Sequence, residues 1–249
     1  MIASIKPIIQ NMPSIGLKEM DSVALMKRID TKFMIPTDKL SSILNAVFDH
    51  YRVLEIDNKR IMSYSSQYFD TSVKDFYHDH HNGKINRMKV RIRKYMDSNL
   101  AFLEIKKKDG KGYTTKYRTR IEDFEHILSL KSNAFIEKAT SKVLTLEHSI
   151  FNDFRRITLV NNDLNERVTI DFNLSFTKDQ EVKSLDKIII VEVKQEGVNR
   201  NSPIIQALRN NREYPFSISK YCIGVLQHFQ DVKYNRFKKK LLKIKKIQQ

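Results

Sequence analysis

Arginine, lysine and glutamate recur at every second position in several short stretches of this chain. Side chains alternate across a β-strand, so such spacing puts like groups on one face. Over residues 86–94 one face carries Arg87, Lys89, Arg91 and Arg93, and the other Met88, Val90 and Ile92. Glu104, Lys106 and Lys108 share a face against Leu103 and Ile105, and Lys116, Arg118 and Arg120 share another. Arg167 and Asp171 oppose Val168 and Ile170, while Glu192 and Lys194 oppose Val191 and Val193. Arg28, Asp30 and Lys32 form a sixth set. Groups of this kind suit the chemistry of phosphate. Arginine holds phosphate oxygens bidentately, lysine acts as a compact charge, and a carboxylate supplies hard oxygen to a divalent cation.

An ordinary amphipathic sheet also has one charged face, but its solvent side mixes Thr, Ser, Gln and charges of both signs. Here cations dominate, and concentrating them costs free energy unless an anion neutralises them. A closed barrel whose polar face points inward would make an anion tunnel, with the apolar faces packed under helices outside. The chain has 249 residues, 41% of them hydrophobic, and a net charge of +16, which implies an anionic partner. With only 6 glycines and no Gly-rich phosphate loop, the P-loop and dinucleotide fingerprints are excluded as routes to phosphate. Cys222 lies in an apolar run and reads as buried and structural. His78, His80 and His81 cluster in DFYHDHHNGK, but their spacing fits no tight zinc pattern and the segment reads as an exposed loop.

Eight strands must position these faces: residues 27–35, 62–70, 86–96, 100–108, 113–121, 155–161, 166–176 and 187–195, with Asp109-Gly110 as a hairpin turn. Helices are expected at 37–50, 133–153, 203–212 and 219–230, and a short helix or helical turn at 122–130. The fold class is therefore α+β, an antiparallel eight-stranded β-barrel tunnel with helices packed outside. Residues 1–23 form a lead-in, 24–230 the tunnel domain and 231–249 a basic tail holding eight Lys/Arg. That tail reads as a solvated helix or frayed end, or as a contact for an anionic surface or nucleic acid. One cysteine and the lack of a signal peptide suit the cytoplasm. The basic tail or a separate membrane partner would be the routes to a membrane. Nucleic acid is the lesser candidate partner, since basic strands with aromatics can bind single strands but no RNP-type motif occurs.

The stretches Arg28-Ile-Asp-Thr-Lys32-Phe, Tyr68-Phe-Asp-Thr71, Lys89-Val-Arg91-Ile-Arg93-Lys-Tyr95, Leu103-Glu-Ile-Lys106, Lys116-Tyr-Arg118, Phe154-Arg-Arg156, Arg167-Val-Thr-Ile-Asp171, Val191-Glu-Val-Lys194 and Phe216-Ser-Ile-Ser-Lys220-Tyr occur in this order. Together they resemble the VTC domain, the polyphosphate polymerase branch of the triphosphate tunnel metalloenzymes (CYTH-like superfamily). The resemblance runs from about residue 24 to 228. It implies catalytic phosphate contacts from Lys32, Arg91, Arg93, Lys106, Arg156, Arg167 and Lys220. It implies substrate binding by Arg28, Lys89, Lys116, Arg118, Lys194 and Ser219, and Mn²⁺ or Mg²⁺ as cofactor on Glu192, with Glu104 as a second acid. Arg155 and Arg156 are neighbours, so on a strand only one can face the tunnel; Arg156 is expected to. The implied partners are ATP and inorganic polyphosphate, and the implied reaction is transfer of the ATP γ-phosphate to a growing polyphosphate chain. A triphosphatase of the same fold and a non-catalytic polyphosphate- or nucleic-acid-binding domain are the alternatives.

Overall fold

The computed structural model describes residues 1–21, 29–110 and 113–249. Its centre is one strongly curled antiparallel sheet. In chain order the strands are β1 (Ser14–Ile15), β2 (Ile29–Pro36), β3 (Tyr51–Leu54), β4 (Met62–Asp70), β5 (Arg87–Tyr95), β6 (Leu100–Lys108), β7 (Thr114–Ile121), β8 (Glu147–Asn161), β9 (Glu166–Lys178), β10 (Glu181–Leu185) and β11 (Ile188–Gln195). The helices are α1 (Ile2–Asn11), α2 (Leu17–Asp21), α3 (Leu40–Ala46), α4 (Asp75–His81), α5 (Leu130–Thr140), α6 (Pro203–Asn210), α7 (Lys220–His228) and α8 (Lys238–Gln248). The main path runs β2-β11-β9-β8-β4-β5-β6-β7, which is the expected set of eight strands. Among the described residues β2 and β7 exchange no ladder, so the wall keeps a seam between them. The curl still brings the two ends together: Lys106 of β6 lies within electrostatic reach of Glu192 on β11 and Lys32 on β2.

The outer face is apolar and buried. α1, α3 and α6 place Ile5, Ile9, Leu40, Leu44, Ile204 and Leu208 against Phe33, Ile35, Ile157, Val168, Ile170, Val191 and Val193. α5 covers Val90, Ile92, Leu103 and Ile105 with Ile136 and Ala139. Over the stretches under these helices the strands turn Val, Ile and Leu outward and their charges inward, as period-two alternation requires.

The inner face has two zones. A bulge makes the division: β8 and β9 shift register between Asp153 and Arg155, opposite Asn173, which has φ of 51°. The extra residue reverses the alternation along β9. Arg167, Thr169 and Asp171 face inward before it, Phe172 faces out into the helix-covered core, and Leu174 and Phe176 face inward after it. With Met34, Tyr68, Ile150 and Ile190 these last two make an apolar floor. α7 sits on that floor through Tyr221, Cys222, Ile223 and Val225. Alternation alone predicted no inward apolar zone and put every helix outside.

Local differences have local causes. Residues 122–130 form bends rather than a helix. Asp123 binds the Phe124 N–H, and Glu125 accepts from the Ser129 N–H and hydroxyl and from the Ser132 hydroxyl. Short polar side chains there compete with helical bonding. The helix expected over 133–153 is α5, capped by Ser129 and stopped at Ser141, which has φ of 58°; β8 then begins at Glu147. The histidine segment is a helix, α4, not an exposed loop, because Phe76, Tyr77 and His81 are buried by the structure around it. The tail forms α8, with Phe237 and Ile244 buried.

Gly224 marks the closest approach of α7 to the floor: a Cβ built there would run into Ile150 and Phe176. Gly224→Val should lower stability by about 1–3 kcal/mol through overpacking. Urea unfolding would measure the loss, and a variant as stable as the parent would mean that α7 is not held tightly on the floor.

Candidate phosphate tunnel

Above the floor the register collects the charged side chains in rows. Directly paired residues share a face, so Arg91, Glu104 and Arg118 form one row across β5, β6 and β7, and Lys89, Lys106 and Lys116 the next. On the other wall Lys32 pairs with Glu192. Lys194 stands beside Arg167, and Arg156 beside Asp171. Arg155 is exposed while Arg156 points inward against Asp171.

Three carboxylates organise the cations, each gripped by two. Arg91 reaches Glu104 Oε2 from Nε at 2.8 Å and from Nη2 at 2.6 Å, and Lys116 Nζ is 2.5 Å from Oε1. Arg156 forms a two-pronged pair with Asp171 at 2.5 and 2.8 Å, and Lys220 binds the same carboxylate. Lys32 binds Glu192 Oε1, and Lys194 Nζ is 2.6 Å from its Oε2. Burial alone would raise the pKa of all three acids, but the neighbouring cations outweigh it and hold each well below its ordinary range. Alternation puts Asp171 on the charged face but gives it no partner. Its pairing with Arg156 across β8 and β9, and with Lys220 from α7, is a long-range contact that alternation within one strand does not reveal.

The cations bear the cost of confinement. Burial brings the Lys220 ammonium down to about 7 despite Asp171. Lys89 falls to about 8 by burial, with Lys106 and Arg91 adding repulsion. Lys194 falls to about 8 by burial, although Glu192 opposes the shift. Arg93 is lowered by burial and then by the charge of Arg91. Aromatic rings share the load. Lys220 Nζ lies 3.3 Å from the Phe154 ring centre, Arg156 sits over Tyr64 at 5.1 Å, and Arg118 over Phe102 at 4.8 Å.

The expected site residues are thus largely brought together. Lys32, Lys89, Arg91, Arg93, Lys106, Lys116, Arg118, Arg156, Arg167, Lys194, Glu104 and Glu192 stand on the inner face, with Lys106, Lys116 and Arg118 at its exposed seam edge. Lys220 and Ser219 arrive from the start of α7. Ser219 Oγ accepts from Lys89 Nζ at 2.8 Å and from the Cys222 N–H at 3.3 Å. Arg28 lies outside the described residues. Among the described residues no group of three or more His, Cys, Asp or Glu is placed to hold a metal, and this includes the α4 histidines. His81 there accepts from the Arg236 backbone N–H at 3.3 Å.

No curated protein matches the chain. Among solved structures, a putative adenylyl cyclase from Hippeastrum, reported with a dominant triphosphatase activity, is 12% identical with a TM-score of 0.50, over 82% of this chain and 98% of that one. The PH1819 protein from Pyrococcus horikoshii OT3 is 14% identical with a TM-score of 0.42, over 80% and 98%. A putative adenylate cyclase from Vibrio parahaemolyticus is 12% identical with a TM-score of 0.42, over 87% and 98%. The Hippeastrum protein shares the fold of this curled antiparallel sheet. The family model for the VTC domain matches residues 27–229, which hold β2 to β11 and α3 to α7, so the chain belongs to the VTC domain family.

Proposed function

We propose that this protein is a metal-dependent polyphosphate polymerase, moving the γ-phosphate of ATP onto the end of a polyphosphate chain inside the tunnel. The observation that carries the reading is the set of three carboxylates each gripped by two cations within one curled sheet. A linear phosphate chain offers a row of anionic oxygens matched to such rows of Arg and Lys. Phosphoryl transfer asks for alignment and charge neutralisation more than for a covalent side chain. A terminal oxygen of the polyphosphate would attack the γ-phosphorus, the bond from that phosphorus to the bridging oxygen would break, and ADP would leave. Arg91, Arg93 and Arg156 would hold the phosphoryl oxygens bidentately, with Lys32, Lys106, Arg167 and Lys220 neutralising developing charge. Lys89, Lys116, Arg118, Lys194, Ser219 and Arg28 would line the chain. With water as the acceptor the same arrangement would be a triphosphatase, a reading supported by the activity reported for the Hippeastrum protein.

Mn²⁺ or Mg²⁺ would be held by Glu192, with Glu104 as the second acid. The donors are hard oxygens, and one or two carboxylates suffice where phosphates and waters complete the shell. The ion would supply further neutralisation of phosphate charge. In the free tunnel both carboxylates already hold two cations, and those cations suit the oxygens of an arriving phosphate chain. Metal and phosphate should therefore bind together.

Incubation with ATP and Mn²⁺ should yield ADP and long polyphosphate, resolved by gel sizing; orthophosphate as the only product would establish the hydrolase instead. Glu192→Gln should cut turnover by about 10²–10³-fold and, because it leaves Lys32 and Lys194 without their carboxylate, should lower the unfolding midpoint while the chain still folds; full activity in that variant would remove Glu192 from the metal site. By calorimetry, the free protein should bind no Mn²⁺ at concentrations where the Mn²⁺–tripolyphosphate complex binds, whereas tight Mn²⁺ binding to the empty tunnel would contradict the joint entry of metal and phosphate. For Lys220, a folded pKa of about 7 against an unfolded value near 10.4 means that the unfolded chain binds more protons between them. Stability should then rise as pH increases from about 7 to 9, with a smaller slope in Lys220→Met; equal slopes by urea unfolding would show that Lys220 does not titrate in this range.

A further inference from the structure

The tunnel does not account for the basic end of the chain. From Lys233 to Lys246 there are eight Lys/Arg, and no Asp or Glu lies between Asp231 and Gln249. α8 is docked rather than loose. Phe237 and Ile244 are buried, and Ile247 packs beside them against the cluster holding Leu185, Ile188 and Ile190. At its C-terminal end the Lys187 N–H donates to Gln248 Oε1 at 3.0 Å. Three basic residues are engaged along this docked side. Lys243 reaches Glu213 at 3.4 Å, Lys240 lies over the Phe237 ring at 4.9 Å, and Arg236 binds the Asn82 carbonyl.

The opposite side is different in kind. At about 100° per residue, Lys238, Lys239, Leu242, Lys245 and Lys246 fall within an arc of about 120°, facing away from Phe237 and Ile244. All five are exposed, Leu242 at 66%, and among the described residues no carboxylate pairs with these four lysines. Tyr234, 48% exposed, stands just before the helix, and exposed Lys187 stands beside its end. The face is one leucine ringed by four lysines on a helix held tangent to the body.

We propose that this outer face of α8 is a docking surface for an anionic lipid bilayer. Lysine charge draws such a helix to acidic headgroups, and the acyl boundary beneath them takes up an apolar side chain at the centre of the ring. A dissolved polyanion would satisfy the lysines but leave Leu242 in water. No described helix is long and apolar enough to cross a membrane, so the contact is one of surface adsorption. The proposal does not rest on the polymerase reading, because its residues lie on the outside of the barrel.

The test is sedimentation of the full chain with phosphatidylcholine vesicles, with and without phosphatidylserine, in excess tripolyphosphate to occupy the tunnel. Binding is expected to the phosphatidylserine vesicles alone and should fade at high salt. Each lysine near the surface contributes about five-fold in affinity, so replacing Lys238, Lys239, Lys245 and Lys246 together by Gln should weaken binding several-hundred-fold. Leu242→Ser should weaken it several-fold at unchanged charge. Both variants should keep the parent's affinity for tripolyphosphate, which reports an intact fold. Equal binding to both vesicle types, no binding to either, or parental binding by the four-lysine variant would overturn the proposal. So would an unchanged Leu242→Ser variant whose vesicles are displaced by duplex DNA, which would make the face a general polyanion site.

Discussion

Mutual repulsion among buried cations is the constraint on which the rest of this structure depends. A curled sheet that gathers this many Arg and Lys side chains on its inner face would be driven apart by them at low dielectric. Three carboxylates prevent that, each placed where two strands, or a strand and a helix, can deliver a pair of positive groups to it. The balance is incomplete: Arg93, Lys89 and Lys106 lie in the same field with depressed proton affinity. What remains is a standing demand for negative charge, which a phosphate chain can meet and a neutral ligand cannot.

That demand also explains the surrounding architecture. The apolar outer face needs cover on all sides, which α1, α3, α5 and α6 provide. The lower end of the inner face needs closing against water if the charges are to act at low dielectric, and α7 closes it while delivering Lys220 to Asp171. One short helix therefore serves the core through Tyr221, Ile223 and Val225 and the charged zone through its first residue.

Much of this was legible from sequence because it rests on neighbours in the chain. In the middle of β5, β6 and β11, over residues 89–93, 103–106 and 191–194, Arg, Lys or Glu alternates with Val, Ile or Leu and leaves one way to bury the apolar side, and these three strands lie within a residue or two of the expected bounds. The inward direction of the charges was less determined, since a flat sheet has the same alternation; the resemblance carried by the ordered motifs supplied it. Features made by contacts distant in sequence were not legible. Asp171 acquires its partners from β8 and α7, the first half of β8 read as helix continuing α5, and the α4 histidines read as exposed because the groups burying them come from residues 233–237.

The bulge at Asn173 has a meaning beyond local geometry. Because it reverses the alternation along β9, the boundary between the charged zone and the apolar floor is set by the number of residues between Asp171 and Leu174. Tunnel depth is in this sense a counted quantity. Relatives could lengthen or shorten the cavity by moving one inserted residue along the strand while keeping every charged side chain. A change of that kind would pass unnoticed in any comparison that scores substitutions alone.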